Sequence, residues 1–178
     1  MTCMLKRSLG AVCGMALVLA LASCRKDPGS STRIWRMGEQ VQVGPLIYSV
    51  IEAEWHGHLA AGGKERLPQN RFLIVRVSVT NSGGREVGVP GMVLETPQGE
   101  SYYEDPDGEG VPDWLPGLRR LAPAETREGR ILFDAPQKSY RLRVQEEGMP
   151  EQPEEKLASA LIDIPLDLRA PVAIPLKR

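Results

Sequence analysis

The stretch RFLIVRVSVTNSGG, residues 71–84, constrains the fold more than any other part of this sequence. Leu73, Val75, Val77 and Val79 fall on one side of an extended chain, and Arg76, Ser78 and Thr80 fall on the other. A period of two built largely from β-branched residues reads as a strand with one buried face. Asn81-Ser82-Gly83-Gly84 supply the turn that ends it. Phe72 and Ile74 sit on the otherwise polar side, so the start of this strand is expected to be covered on both faces.

Other segments share this grammar. VQVGPLIYSVIEAEW alternates at Val41 and Val43, breaks at Gly44-Pro45, and resumes through Tyr48 and Val50. MVLETPQGESYYE reads as a hairpin turning at Pro97-Gln98-Gly99-Glu100. GRILFDAP sends Ile131 and Phe133 inward; YRLRV sends Tyr140, Leu142 and Val144 inward with Arg141 and Arg143 outward. After an acidic, proline-containing insert from Gln145 to Lys156, ALIDIPLDL forms a last extended segment. Its Pro165 cannot donate to a ladder, which places the segment at a sheet edge. Only Glu154 to Leu161 has the makings of a short helix. Short strands with turn chemistry between them predict an all-β, antiparallel sandwich.

The N-terminal end has a different character. Lys6 and Arg7 precede 17 uncharged residues, Ser8 to Cys24, too few and too rich in Ala and Gly for a comfortable membrane span. A basic start, an apolar middle and small residues before a break make a secretory leader. Leu21-Ala22-Ser23-Cys24 resembles the lipobox of bacterial lipoproteins. That resemblance implies cleavage between Ser23 and Cys24, a diacylglycerol thioether on Cys24, and acylation of its new amine. One acyl chain binds a bilayer only marginally, whereas two or more anchor stably. The resemblance also implies a cell-envelope location. Where two membranes exist, Arg25 rather than Asp after the cysteine points to the outer membrane, facing the periplasm; otherwise the protein sits on the outer face of the cell membrane. The expected organisation is a leader at 1–23, a polar tether at 24–36, the sandwich at 37–170 and a tail at 171–178.

Cys3 and Cys13 would leave with the leader and Cys24 would be lipidated, so no thiol remains for a disulfide. Loss of Lys6 and Arg7 from 22 basic residues against 23 acidic ones leaves a formal charge of −3. That balance gives no electrostatic reason to expect a nucleic-acid partner.

Four segments together carry a further resemblance: MGEQVQVGPLIYSVIEAE, RFLIVRVSVTNSGGREV, MVLETPQGESYYE and LAPAETREGRILFDAP. From Met37 to Val144 the chain is similar to the Ig-like extracellular domain of bacterial lipoproteins and secreted antigens, the Mpr-type immunoprotective domain, whose function is unassigned. Gly38-Glu39, Asn81, Tyr102-Tyr103, Gly129, Phe133, Asp134 and Pro136 fit that pattern. Pro123-Ala124-Glu125 departs from it, with Ala where Gly is usual. The resemblance implies an immunoglobulin-like sandwich and brings no catalytic residues.

Chemistry-bearing residues are few. Asp105, Asp107 and Glu109 alternate like the opening of a calcium loop, but the twelfth position is Pro116 rather than a bidentate Glu, so the EF-hand reading fails. A looser calcium site adding Asp113 is one reading of this loop; a solvated acidic loop is the plainer one. His56 and His58, with Glu54 nearby, suggest zinc or copper, yet no other histidine exists and a metal site wants three or four ligands. Trp114, set among turn formers, reads as a plug on the sandwich or as a partner contact, since Trp is enriched at binding hot spots. Arg76, Arg130, Arg141 and Arg143 suggest a basic stripe, or a face neutralised by Glu128 and Asp134.

No nucleophile pattern accompanies the histidines, so the expected class is not an enzyme. The sequence points to a lipid-anchored envelope protein, without a cofactor, whose sandwich binds a protein or an envelope polymer. The alternative is a metal- or small-ligand-binding envelope lipoprotein.

Overall fold

The computed structural model describes residues 33–116, 119–148 and 157–166. Ser23, Cys24, the leader and the tail lie outside the described residues. The strands run β1 (Ile34–Trp35), β2 (Val41–Val43), β3 (Leu46–His56), β4 (Leu59–Ala61), β5 (Lys64–Arg66), β6 (Phe72–Asn81), β7 (Val87–Val89), β8 (Val93–Glu95), β9 (Ser101–Tyr103), β10 (Arg119–Leu121), β11 (Thr126–Asp134), β12 (Tyr140–Gln145) and β13 (Ser159–Ile164). Two sheets form the sandwich, in the orders β11-β6-β3-β2 and β1-β13-β12-β8-β9, with β10-β7 and β4-β5 as smaller pairs. All strand pairs are antiparallel except β1 with β13.

The period-two segment is the spine. β6 pairs along its length with β11 on one side and β3 on the other. Its inward Leu73, Val75, Val77 and Val79 meet Tyr140, Leu142, Val144, Ile162 and Ile164 of the facing sheet in one core. Alternation in β3 changes phase at Ile51: Tyr48 and Val50 are buried, and then Ala53. A β-bulge between Val50 and Glu52 absorbs the extra residue, so core residues on both sides of it face inward.

Phe72 and Ile74 are buried on the opposite face, as expected, with Leu59, Val111 and Leu132 in a second cluster. The covering chain is the segment after β9. Asp105 N–H donates to Leu132 O at 2.7 Å, and Leu115 N–H donates to Arg130 O at 2.8 Å. Arg130 N–H in turn donates to Asp113 O at 2.9 Å. The acidic loop therefore lies along β11. Gly129 permits this approach, because a Cβ there would stand 2.9 Å from Asp113 O and 3.0 Å from Leu115 Cβ.

Three expectations are corrected. β13 is not an edge: it lies between β12 and β1, and Pro165 falls just past its last residue, where no ladder donor is needed. Ser159–Leu161, within the segment considered for a helix, is strand because it completes β12; Glu154–Lys156 lie outside the described residues. The sheet also starts before residue 37, since Ile34 and Trp35 pair with Leu161 and Ile162.

Asn81 ends β6 fully buried and fully used. Its Nδ2 donates to Arg85 O at 2.8 Å and to Leu121 O at 3.0 Å, while Oδ1 accepts the Gly83 N–H at 2.8 Å. Its backbone grips the turn before β11, accepting the Ala124 N–H and donating to Glu125 O, both at 2.9 Å. Ala124 holds φ +62, the left-handed conformation that glycine adopts freely.

Candidate functional site

Strand register builds the site. Tyr103 of β9 pairs with Val93 of β8, and Val93 pairs with Arg143 of β12, so the three share the outer face of the five-stranded sheet. Leu161 and Ile34 continue the row through β13 and β1. A groove of about 390 Å³ opens here, lined by Met92, Val93, Tyr103, Pro106, Arg143 and Gln145 among others. Tyr103 is 71% exposed at the sheet edge, although its neighbour Tyr102 turns inward and packs edge-on against Tyr140.

Three arginine–carboxylate pairs surround this groove. Arg143 Nε stands 2.8 Å from Glu95 Oε1, an ion pair whose alignment does not complete a hydrogen bond. Arg66 Nη2 donates to Asp105 Oδ2 at 2.6 Å, and its Nη1 donates to Asp107 O at 2.8 Å. Beneath the groove, Arg119 Nη2 reaches both carboxylate oxygens of Glu104, at 2.7 and 3.0 Å, with 1% of its side chain exposed. Glu104 Oε1 also accepts the Met92 N–H at 2.6 Å, which fixes the entry to β8. Near this pair, burial pushes the pKa of the Tyr48 hydroxyl up, with Arg119 pulling it down and Glu104 pushing it up. That hydroxyl donates to Gln145 O at 2.8 Å.

The residues singled out from sequence fare differently. Asp105, Asp107 and Glu109 do share one loop, but it is organised by Arg66 and by two local turns. Asp105 Oδ1 accepts the Asp107 N–H and Asp107 Oδ1 the Glu109 N–H, each at 2.9 Å. Asp113 pairs elsewhere, with Arg130 at 3.0 Å. His56 ends β3, 3.3 Å from Glu54, whereas His58 follows Gly57 and lies 3.5 Å from Glu65. Each histidine thus has its own carboxylate. Among the described residues, no three His, Cys, Asp or Glu side chains converge as metal ligands.

Trp114 is half-buried on the second cluster, and a Cβ at Gly108 would stand inside its indole ring. The four arginines form no single stripe. Arg76 and Arg130 pair on one sheet and Arg141 and Arg143 lie on the other. Glu128 holds Arg76, while Asp134 accepts the backbone N–H groups of Gln69 and Asn70 instead.

Sequence reasoning missed Arg119, Glu104 and the groove. Arg119 sits in GLRRLAP, where adjacent arginines look solvated, and only the pairing of β10 with β7 turns one inward. The paired tyrosines at 102–103 were the one available signal, because alternation must send one of them outward.

The profile of one family, described as Domain of unknown function (DUF4352), matches residues 35–153. No curated protein matches the chain. Among solved structures, the yjhA protein from Bacillus subtilis is similar at 17% identity and a TM-score of 0.55, over 73% of this chain and 99% of that one. MPT63, a secreted protein from Mycobacterium tuberculosis, is similar at 17% identity and a TM-score of 0.50, over 75% and 98%. The candidate lipoprotein ycdA from Bacillus subtilis shows 14% identity and a TM-score of 0.51, over 70% of this chain but 38% of its own length. At such identities the likeness is one of fold, a β-sandwich.

Proposed function

The chain belongs to the DUF4352 family, a domain of unknown function, and from that premise we propose that it is a lipid-anchored, non-enzymatic envelope protein whose sandwich binds another envelope component. The sequence Leu21-Ala22-Ser23-Cys24 behind a basic, apolar leader carries this reading. The secreted MPT63 and the candidate lipoprotein ycdA, which share the fold, are in keeping with an envelope or extracellular address, as is the resemblance to the Mpr-type antigen domain. A binding role is supported by the groove beside Tyr103: an exposed aromatic next to a held arginine suits recognition. Glu95, Glu104 and Asp105 each pair with an arginine, which holds their side chains in place around the groove.

The test is the intact mass of protein extracted from its native membrane. A diacylglyceryl thioether on Cys24 as the first residue is expected, and Cys24→Ala should move the protein out of the membrane fraction. A free thiol or an uncut leader overturns the anchor. Crosslinking in intact cells with mass spectrometry then reads the partner.

A further inference from the structure

The geometry points to a saccharide site between Tyr103 and Arg143, where the proposed envelope module takes an uncharged sugar ring of a glycan chain. This deepens the binding reading and rests on it.

Spacing comes first. Tyr103 and Arg143 stand on β9 and β12 with Val93 of β8 between them, two strand intervals apart. Two intervals span about 9.5 Å. A single flat ring contacted on both faces needs about 7–8 Å, twice the carbon contact distance. The strand spacing therefore leaves room for one ring layer in the groove of about 390 Å³, with Pro106 beside it and Val93 and Met92 packed beneath, 6% and 1% exposed.

Chemistry narrows the occupant. A phenol ring offers a face for C–H groups, and a guanidinium offers a second plane with donors at its rim. Arg143 is oriented by Glu95, and its buried Nε makes no hydrogen bond. The Gln145 carboxamide adds a neutral donor and acceptor at the groove wall. A ligand apolar on its faces and hydroxylated around its edge fits this arrangement better than a purely aromatic side chain does.

Charge decides between glycan types. Each carboxylate lining the groove faces an arginine, Glu104 with Arg119 and Asp105 with Arg66, and Arg143 faces Glu95; Arg66 also meets the exposed Asp107 at 3.7 Å. That balance leaves no positive surplus to draw an acidic polymer.

The experiment is calorimetric titration of the full chain with chitohexaose and cellohexaose (both neutral), polygalacturonate (acidic) and N-acetyltryptophanamide (aromatic, no sugar). Saturable binding of a neutral hexasaccharide is expected, weakened at least tenfold by Tyr103→Ala and retained by Tyr103→Trp. Cosedimentation with purified peptidoglycan, displaced by the same hexasaccharide, identifies wall glycan as the source; binding of the free hexasaccharide without cosedimentation identifies a soluble one, and either supports the site. Preference for polygalacturonate or N-acetyltryptophanamide, or binding unchanged by Tyr103→Ala, overturns it. If neither hexasaccharide binds while crosslinks to envelope components form in cells, the sugar assignment falls and the envelope-module reading stands. Absence of both overturns both.

Discussion

Arg119 and Glu104 form a buried ion pair between the link after β9 and the start of β10, closing at 2.7 Å where 1% of the arginine side chain meets solvent. A charge so placed depends on its partner. Glu104→Gln strips the arginine of its counter-charge, and the expected loss is about 3–5 kcal/mol, the usual result of breaking a buried pair from one side. Adding Arg119→Met to that variant should recover much of it, because the stranded charge is gone. Urea unfolding of the two variants checks both expectations.

Ala124 lies at φ +62 in the turn that precedes β11. An L-residue pays roughly 1–2 kcal/mol for that conformation. Glycine removes the strain but gives a floppier unfolded chain, costing about 0.4–1 kcal/mol. Ala124→Gly should therefore stabilise the protein by about 0.5–1 kcal/mol, read as a higher urea midpoint at unchanged slope.

Asn81 satisfies two carbonyls and one N–H with a side chain that solvent does not reach. Asn81→Ala leaves those groups unpaired, and about 3 kcal/mol should be lost at the usual 1–3 kcal/mol for a buried unmet partner. Hydrogen exchange should quicken first at Gly83 and across the turn at Ala124 and Glu125.

Glu125 accepts the Ala122 N–H at 2.8 Å and meets Arg127 at 2.6 Å. The Ala122 N–H first, and then Arg127, hold its pKa below the ordinary carboxylate value. A carboxyl depressed in the folded state contributes stability above its unfolded pKa, and that contribution disappears as pH falls through the folded value. Glu125→Gln should therefore shrink the difference between unfolding midpoints at pH 6 and pH 3, with the two proteins converging at the acid end.

Much of the framework is legible because a half-buried strand must alternate. Residues 73–79, the hairpin at 97–100 and the inward faces of β11 and β12 follow from that rule alone. Misread places are those where long-range pairing decides. Pro165 looks like an edge marker until β1 arrives from the far end of the domain to flank β13. The acidic loop looks like a cation trap until Arg66, 39 residues upstream, reaches Asp105. The candidate groove is invisible for the same reason: Tyr103, Val93 and Arg143 become neighbours only through register.

The backbone of Arg130 and Leu132 is already engaged by Asp113, Leu115 and Asp105, so the nine-residue rim of β11 gives another copy little to stack upon. A long bare rim is the template from which sandwich proteins polymerise into fibrils. Here a charged strap covers the middle of that rim, which would keep crowded neighbours from zipping together on that side.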